Sequence, residues 1–330
     1  MSLDRHTAVI VDRALSAGVD RTTDTISVVP GNSGRDPYGL ARLVVDGAVD
    51  DVLLAAPRRF GARGLVPGPV VAGRPVGIVQ AVDWRTPPAA PEHQERSGMP
   101  WVVAAMAKNV FLRPTDSWTD RLDRAHPTVD LRADRARRDD LLAAVAAGPG
   151  IVLYAGHGSP RGWAGYQALR TRHVEELEMA RPVDLTIAFA CSTLSRPRHA
   201  WPFGSRLVEL GVTRCYLAPA ESVVTADAEA LGDLVVELLA SGRWASVGSL
   251  MSEIDRCAAG PARRAWSTFR LLGDPRTTFT STPSSAVSVS GPGRPRSAMT
   301  TASRPTPINT LEVAPVGRGE PAWSAARPVG

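Results

Sequence analysis

The sequence has little lysine and few aromatic residues, so its basic composition is weak evidence for a nucleic-acid partner. Lys108 is the single lysine among 38 Lys and Arg residues, an imbalance typical of GC-rich coding. Aromatic residues make up 5% of the chain, and no basic stretch is interleaved with them. Of the formal charge of +5, residues 281–330 contribute +3 through five Arg and two Glu. The body of the chain is therefore almost neutral, and no nucleic-acid binding is expected.

Cysteine and long apolar runs are also scarce. The three cysteines are Cys191, Cys215 and Cys257, and their spacing fits neither a disulfide framework nor a zinc site. No metal or other cofactor is predicted. No window approaches 18 uninterrupted apolar residues, which excludes a predicted membrane span. The first 20 residues contain early acids and no long apolar core, so we expect no secretory signal and a cytoplasmic setting with free thiols.

Apolar segments alternate with helix-forming segments along the chain. The runs "GIVLYAGHG" (150–158) and "PVDLTIAFACST" (182–193) are continuously apolar, as strands buried on both faces are. Residues 168–180 are predicted to form a helix between them, whereas residues 99–112 fit either a strand or a buried helix. The pattern predicts an α/β fold with a mainly parallel sheet flanked by helices on both faces.

Two residues with catalytic potential follow the two apolar runs. His157 comes directly after the first strand in "AGHGS", and Cys191 ends the second in "AFACST". Parallel neighbouring strands, about 4.8 Å apart, would bring both side chains to one edge of the sheet. An imidazole can take the proton of a nearby thiol and so create a nucleophile. Gly156 and Gly158 would let the chain turn sharply, and the Gly158 and Cys191 amides could form an oxyanion hole.

The same residues also have a purely structural interpretation. A single cysteine at the end of a buried strand is often a small core residue, and a histidine beside glycines can simply occupy a turn. The pairing of His157 with Cys191, one crossover apart, favours catalysis. Cys215 and Cys257 have no such partner and are predicted to be structural.

The segments "LYAGHGSPRGW", "IAFACST" and "WSTFRLLGDPRTTF" together resemble the gingipain-type cysteine peptidases of the caspase-like clan. CHAT-type peptidases share the His and Cys arrangement and are the alternative. The resemblance covers about residues 128–280 and implies a caspase-like three-layer sandwich with its catalytic core there. Residues 1–127 would be the N-terminal part of the same α/β domain with loop-rich insertions. Residues 281–330, rich in Pro, Ser and Arg, are predicted to be disordered.

The resemblance implies a cysteine endopeptidase that forms a thioester acyl-enzyme. His157 would be the general acid–base, Cys191 the nucleophile, and the amides of Gly158 and Cys191 the oxyanion donors. The family often has an acid that orients the histidine, for which Asp83 is the candidate, although a surface aspartate is the alternative interpretation. The implied substrate is a protein or peptide.

The resemblance also implies where the substrate pocket lies. Pro219, Glu221 and Ser222 would border the pocket for the residue before the scissile bond. Trp163 would form a wall of the same cleft or, alternatively, pack in the core. Because no secretory signal is predicted, the implied enzyme is an intracellular, regulated protease with a possible regulatory protein partner.

Two other classes of function stay open at this point. A catalytically silent caspase-like scaffold or interaction module would keep the fold and lose the chemistry, although both catalytic residues are present. A nucleotide- or phosphate-binding protein would use the Gly-rich "GHGSPRG" (156–162) or "VPGNSGRDPYG" (29–39). Neither ends in the Gly-Lys-Ser/Thr of a phosphate-binding loop, which argues against that class.

Overall fold

The computed structural model describes residues 7–12, 26–31, 50–57, 66, 68–81, 99–195 and 201–278, all within one compact unit. Asp83 and the segment 281–330, for which disorder is predicted, lie outside the described residues. The strands are β1 Thr7–Asp12, β2 Ile26–Gly31, β3 Asp51–Pro57, β4 Val70–Val71, β5 Arg74–Ala81, β6 Trp101–Ala105, β7 Thr128–Asp130, β8 Ile151–Ala155, β9 Gly158–Ser159, β10 Gly162–Trp163, β11 Leu169–Arg170, β12 Val183–Phe189, β13 Thr213–Pro219 and β14 Phe269–Leu272. The helices are α1 Asn109–Asp123, α2 Arg138–Ala146, α3 Thr171–Glu175, α4 Phe203–Glu209, α5 Thr225–Ala240, α6 Val247–Cys257 and α7 Gly260–Thr268.

Most of the strands join one mixed sheet. Among the described residues its order is β2-β1-β3-β5-β14-β13-β12-β8-β6-β7, with β4 beside β5. Neighbours along this path are parallel except β13 and β14, which are antiparallel. The sheet therefore has two parallel halves that run in opposite directions. The mainly parallel sheet is as predicted, but the reversal at β14 was not.

Helices cover both faces of the sheet. Successive side chains of a strand point to opposite faces, so β8 places Tyr154 in one core and Leu153 in the other. Helices α2, α3 and α4 pack in the first core, and α1, α5, α6 and α7 pack in the second. The predicted three-layer α/β architecture is confirmed.

Two local predictions need revision. The ambiguous stretch 99–112 contains both alternatives, because β6 ends at Ala105 and α1 begins at Asn109. The helix predicted over 168–180 is only the five-residue α3. The residues before it, Tyr166 to Ala168, have φ angles of 55° to 64° and form a left-handed turn, after which β11 pairs with β10. Tertiary pairing therefore overrides the helical propensity of this segment.

A charged cluster ties the end of β7 to α1. The Arg132 side chain is 2% exposed and donates to both carboxylate oxygens of Asp130, at 2.8 and 2.7 Å, and to Asp116. Burial by itself would raise the pKa of Asp130, but the hydrogen bonds and charge of Arg132 outweigh it and lower that pKa. Asp130 therefore stabilises the fold in its ionised form.

Candidate active site

The register of β8 and β12 brings His157 and Cys191 to the same edge of the sheet. The two strands are parallel neighbours with Ala155 opposite Phe189, and the Gly156 amide donates to the Phe189 carbonyl at 3.3 Å. His157 and Cys191 each follow two residues after that pair. They therefore lie level with each other beyond the carboxyl ends of adjacent strands, as the spacing in the sequence predicts.

Both side chains line one cleft that is partly open to solvent; its empty space is about 400 Å³ when the part open to solvent is counted. His157 is exposed and Cys191 is half-buried. The strand ends contribute Ala155, Gly156, His157, Phe189 and Cys191. The α1 side contributes Val110, Phe111, Pro114 and Trp118, and the loop into α5 with its first turns contributes Val223, Thr225, Ala228 and Glu229. The imidazole and the thiol therefore face a common space that a peptide can reach.

The two glycines around His157 serve close packing rather than the sharp turn expected from the sequence. Neither Gly156 nor Gly158 is among the glycines with positive φ. A Cβ on Gly158 would lie 2.7 Å from the Cys191 carbonyl oxygen and 2.9 Å from the Ala190 Cβ. A Cβ on Gly156 would collide with the Tyr154 hydroxyl. Glycine at 158 lets the histidine loop approach the backbone of the cysteine loop.

The imidazole and its backbone are held by aromatic neighbours. The Phe111 ring meets the His157 ring edge-on, with centroids 5.0 Å apart and planes at 87°. The His157 carbonyl accepts hydrogen bonds from the Ala164 amide at 2.9 Å and the Tyr154 hydroxyl at 3.3 Å. Burial raises the pKa of Tyr154, so its hydroxyl remains a proton donor over the whole physiological range.

The antiparallel pair β9–β10 leaves the Gly158 amide directed away from β10. The bond from Ala164 to His157 marks those two residues as a hydrogen-bonded pair, and Gly158 stands opposite Trp163 as the next pair. Hydrogen-bonded and non-hydrogen-bonded pairs alternate along an antiparallel ladder. Gly158 therefore belongs to a non-hydrogen-bonded pair, and the ladder does not consume its amide.

The thiol contacts the backbone of the loop that follows β13. Cys191 Sγ donates to the Val223 carbonyl at 3.5 Å and accepts from the Val223 amide at 3.4 Å. Within the described part of the chain, the structure has no hydrogen bond between the imidazole of His157 and this thiol. Catalytic hydrogen bonds are often long without substrate and tighten in the complex.

The cysteine loop is fastened to the same neighbouring loop at two further points. Ser192 has a φ of 60°, and its amide donates to the Glu221 carbonyl at 3.1 Å. The Ser195 hydroxyl donates to the Ala220 carbonyl. A left-handed residue directly after the cysteine is a strained conformation that surrounding contacts must hold. These two bonds supply such contacts.

The other two cysteines do not line the cleft. Cys215 is fully buried and donates to the Asp274 carbonyl at 3.2 Å, and burial raises the pKa of its thiol to about 12. Cys257 is half-buried near Glu253. Burial is the main cause that raises the pKa of the Cys257 thiol, and the hydrogen bond and negative charge of Glu253 raise it further. Both thiols are therefore poor nucleophiles at neutral pH.

The predicted pocket residues divide into two groups. Pro219 is buried at the end of β13, Glu221 is half-buried and Ser222 is exposed, and none of the three lines the cleft. They lead into Val223, which does line it. Trp163 lies in the core, stacked on Tyr154 at 4.1 Å and donating from Nε1 to the Tyr216 hydroxyl at 3.1 Å. The structure thus supports the core alternative for Trp163.

The wall that α1 provides was not predicted from the sequence. Phe111, Pro114 and Trp118 line the cleft and recur at helical spacing in "NVFLRPTDSW". That apolar spacing was visible in the sequence, but no local signal indicates that α1 packs beside α5 and brings Trp118 against Phe189. Phe189, two residues before Cys191, lines the cleft as well. In the described residues no group of three or more His, Cys, Asp or Glu side chains is placed to hold a metal ion.

Comparison with known families identifies the chain's family. Residues 99–280, more than half of the chain, match the family model of Peptidase family C25. The chain belongs to peptidase family C25. This C25 peptidase is a cysteine-type endopeptidase, and it is similar to the gingipains, as its motifs indicate. The match starts at residue 99 rather than 128, so it includes β6 and α1.

Solved structures show the same fold at low sequence identity. The C25 peptidase matches the Arg-specific cysteine proteinase gingipain R (RgpB) with a TM-score of 0.61 and 12% identity, over 84% of this chain and 78% of the other. It matches the complex of Porphyromonas gingivalis RgpB pro- and mature domains with a TM-score of 0.58 and 14% identity, over 83% and 79%.

A more distant match has the same fold within a much larger chain. The Saccharomyces cerevisiae separase–securin complex gives a TM-score of 0.50 and 12% identity, over 69% of this chain but 15% of the other. A comparison with curated proteins finds no match. None of the described helices of the C25 peptidase is long and apolar enough to cross a membrane.

Proposed function

We propose that this endopeptidase cleaves peptide bonds with a dyad of His157 and Cys191. The observation that carries the proposal is the level placement of the two residues beyond the paired ends of β8 and β12, on one open cleft. Membership of a cysteine peptidase family supports it. Cys215 and Cys257 lie elsewhere with raised thiol pKa values, which leaves Cys191 as the candidate nucleophile.

In the proposed reaction the Cys191 thiol passes its proton to the His157 imidazole as Sγ attacks the scissile carbonyl carbon. The Gly158 and Cys191 amides hold the resulting oxyanion. The Gly158 amide is suited to this role because the β9–β10 ladder does not use it. His157 then protonates the leaving amine, and a thioester remains on Cys191. Water gives a proton to His157, attacks the thioester and releases the carboxylic acid product.

In the proposed dyad the imidazole turns toward the thiol around the bound peptide. In the structure the thiol contacts the Val223 backbone and the imidazole packs on Phe111. A scissile carbonyl entering between the two groups would displace the Val223 contact. Asp83 remains our candidate for orienting the imidazole, and Glu221 and Ser222, just before the lining residue Val223, remain candidates for the border of the substrate pocket.

We further propose that a protein partner regulates the enzyme in an intracellular setting. Two structural relatives were solved as complexes, one with a pro-domain and one with securin. A partner segment that occupies the cleft would block access to both catalytic groups. The three unpaired thiols fit a reducing compartment. Co-purification with the His157→Ala protein from the native cell, followed by mass spectrometry, would identify such a partner.

The dyad is tested by competition among the three thiols. Treatment with iodoacetamide at pH 7, followed by peptide mass spectrometry, is expected to label Cys191 at least 10-fold faster than Cys257, and Cys215 only on unfolding. Cys191→Ala should abolish peptide cleavage, and His157→Ala should slow both labelling and cleavage. Cys257→Ser is the matched control and should retain full activity.

Three results would contradict the dyad. The first is labelling of Cys191 no faster than Cys257. The second is cleavage that survives in Cys191→Ala. The third is a partner that binds equally well to wild type and to His157→Ala while no peptide is cleaved, which would support the silent scaffold instead.

A further inference from the structure

The cleft beside Cys191 is built almost entirely from apolar side chains. Its walls include Phe189 from β12, Phe111 and Trp118 from α1, and Ala228 from α5. The side chain of an acyl group on Cys191 lies only one carbon away from the carbonyl that Sγ attacks. The space between α1 and α5 belongs to the same cleft as the thiol, so a side chain that enters it meets these walls, and their chemistry decides which side chain is accepted.

The floor of this space is held rigidly. Trp118 is 1% exposed, and its ring lies 5.1 Å from that of Phe189. Its Nε1 donates to Asp233 Oδ1 at 2.8 Å. A Cβ at Gly232 would collide with the Trp118 ring, so α5 approaches α1 as closely as glycine permits. A floor fixed by two helices is formed before a ligand arrives, which lowers the cost of binding.

The carboxylates around the cleft are poorly placed to receive a cation. Asp227 is bound by Arg264 through two hydrogen bonds of 3.0 and 2.7 Å. Asp233 is bound by Trp118 and by Arg121 at 2.7 Å. Glu229 is the one carboxylate among the described lining residues, and it is exposed. An exposed ion pair contributes little, whereas burying a guanidinium without a partner is costly.

The rim of the cleft is apolar too. Val110 on α1 is 48% exposed, and Val224, beside the lining residue Val223, is 66% exposed. Large apolar side chains this exposed are few among the described residues. Their position on both sides of the cleft extends its apolar surface toward solvent.

We propose that this cleft is the pocket for the residue before the scissile bond and that it selects large apolar side chains such as Phe, Leu or Met. The assignment rests on the proposed function of Cys191 and names its substrate class. It differs from the arginine specificity stated for gingipain R. Phe111, Trp118 and Phe189 supply the apolar contacts. The small side chain of Ala228 leaves space for the substrate side chain, and the Glu229 carboxylate stays in solvent.

The test is a set of otherwise identical peptides with Phe, Leu, Ala, Lys or Arg before the cleaved bond. The expected kcat/KM for Phe or Leu exceeds that for Ala, Lys and Arg by about 10- to 100-fold, as burial of a whole apolar side chain predicts. Ala228→Leu should fill the pocket and shift the preference toward Ala. Ala226→Leu, on an exposed position of the same helix that does not line the cleft, is the matched control and should keep the wild-type order.

Failure of this inference is distinguishable from failure of the dyad. Cleavage after Arg or Lys as fast as after Phe, abolished by Glu229→Gln, would overturn the apolar pocket and leave the dyad standing. If no peptide is cleaved, fluorescence-polarisation binding of the same peptides to Cys191→Ala decides the pocket alone. Preference for the Phe peptide would support it, and equal binding of all five would overturn it.

Discussion

One methyl group at Gly158 is expected to disable the enzyme while the fold survives. The Cβ of Gly158→Ala would lie 2.9 Å from the Ala190 Cβ and 2.7 Å from the Cys191 carbonyl oxygen. Carbon atoms in contact prefer about 3.5–4.0 Å, so the histidine and cysteine loops must separate by roughly 0.6–1.1 Å. A misplacement of about 1 Å between reacting groups can cost about 100-fold in rate. We expect kcat/KM to fall by about that factor.

A glycine-to-alanine change away from the cleft separates a loss of activity that arises at the site from one that arises through lower stability. Gly158→Ala is expected to cost about 1–3 kcal/mol through overpacking. Gly211→Ala is the control, because Gly211 has a φ of 69° and open space around its Cβ position, so it costs about 1 kcal/mol through backbone strain alone. Urea denaturation and peptide cleavage are measured for both. The reasoning is refuted if Gly158→Ala keeps wild-type kcat/KM, or if Gly211→Ala loses as much activity.

Two further changes probe the structure around the site. Asp130→Asn should destabilise the protein by about 2 kcal/mol at pH 7, because the buried Arg132 guanidinium then keeps only Asp116 of these two aspartates as an ionised partner. The folded-state pKa of Asp130 is lowered, so the loss of unfolding free energy should be complete above about pH 4 and shrink as pH falls through that pKa. Urea titrations that give an equal loss at pH 7 and pH 3 would contradict this expectation. So would an equal loss in the exposed control Asp139→Asn. Gly232→Ala should push the Trp118 ring away and so shift the tryptophan fluorescence. It should also lower the stability of the protein by about 1–3 kcal/mol and weaken cleavage of apolar peptides. Unchanged fluorescence would show that the helices adjust without moving the ring.

Much of the fold was readable because strands buried on both faces leave a strong local signal. The continuous apolar runs predicted β8 and β12 and, with them, the edge where His157 and Cys191 lie. The segment 168–180 was misjudged because its left-handed turn is held by contacts distant in sequence. The Tyr166 hydroxyl donates to the Leu131 carbonyl and accepts from the Ala105 amide at 3.2 Å.

Local patterns in the sequence were enough to establish the α/β class, and they pointed to two residues one crossover apart as the candidate dyad. Those properties follow from local periodicity and from the short reach of a single crossover. The folded chain was needed to show that α1 and α5 form the walls beside Cys191 and that Trp163 lies in the core. The same holds for Gly158, which serves close approach rather than a turn. Such properties depend on which surfaces meet across the sheet, and residues far apart in the chain carry no local record of that contact.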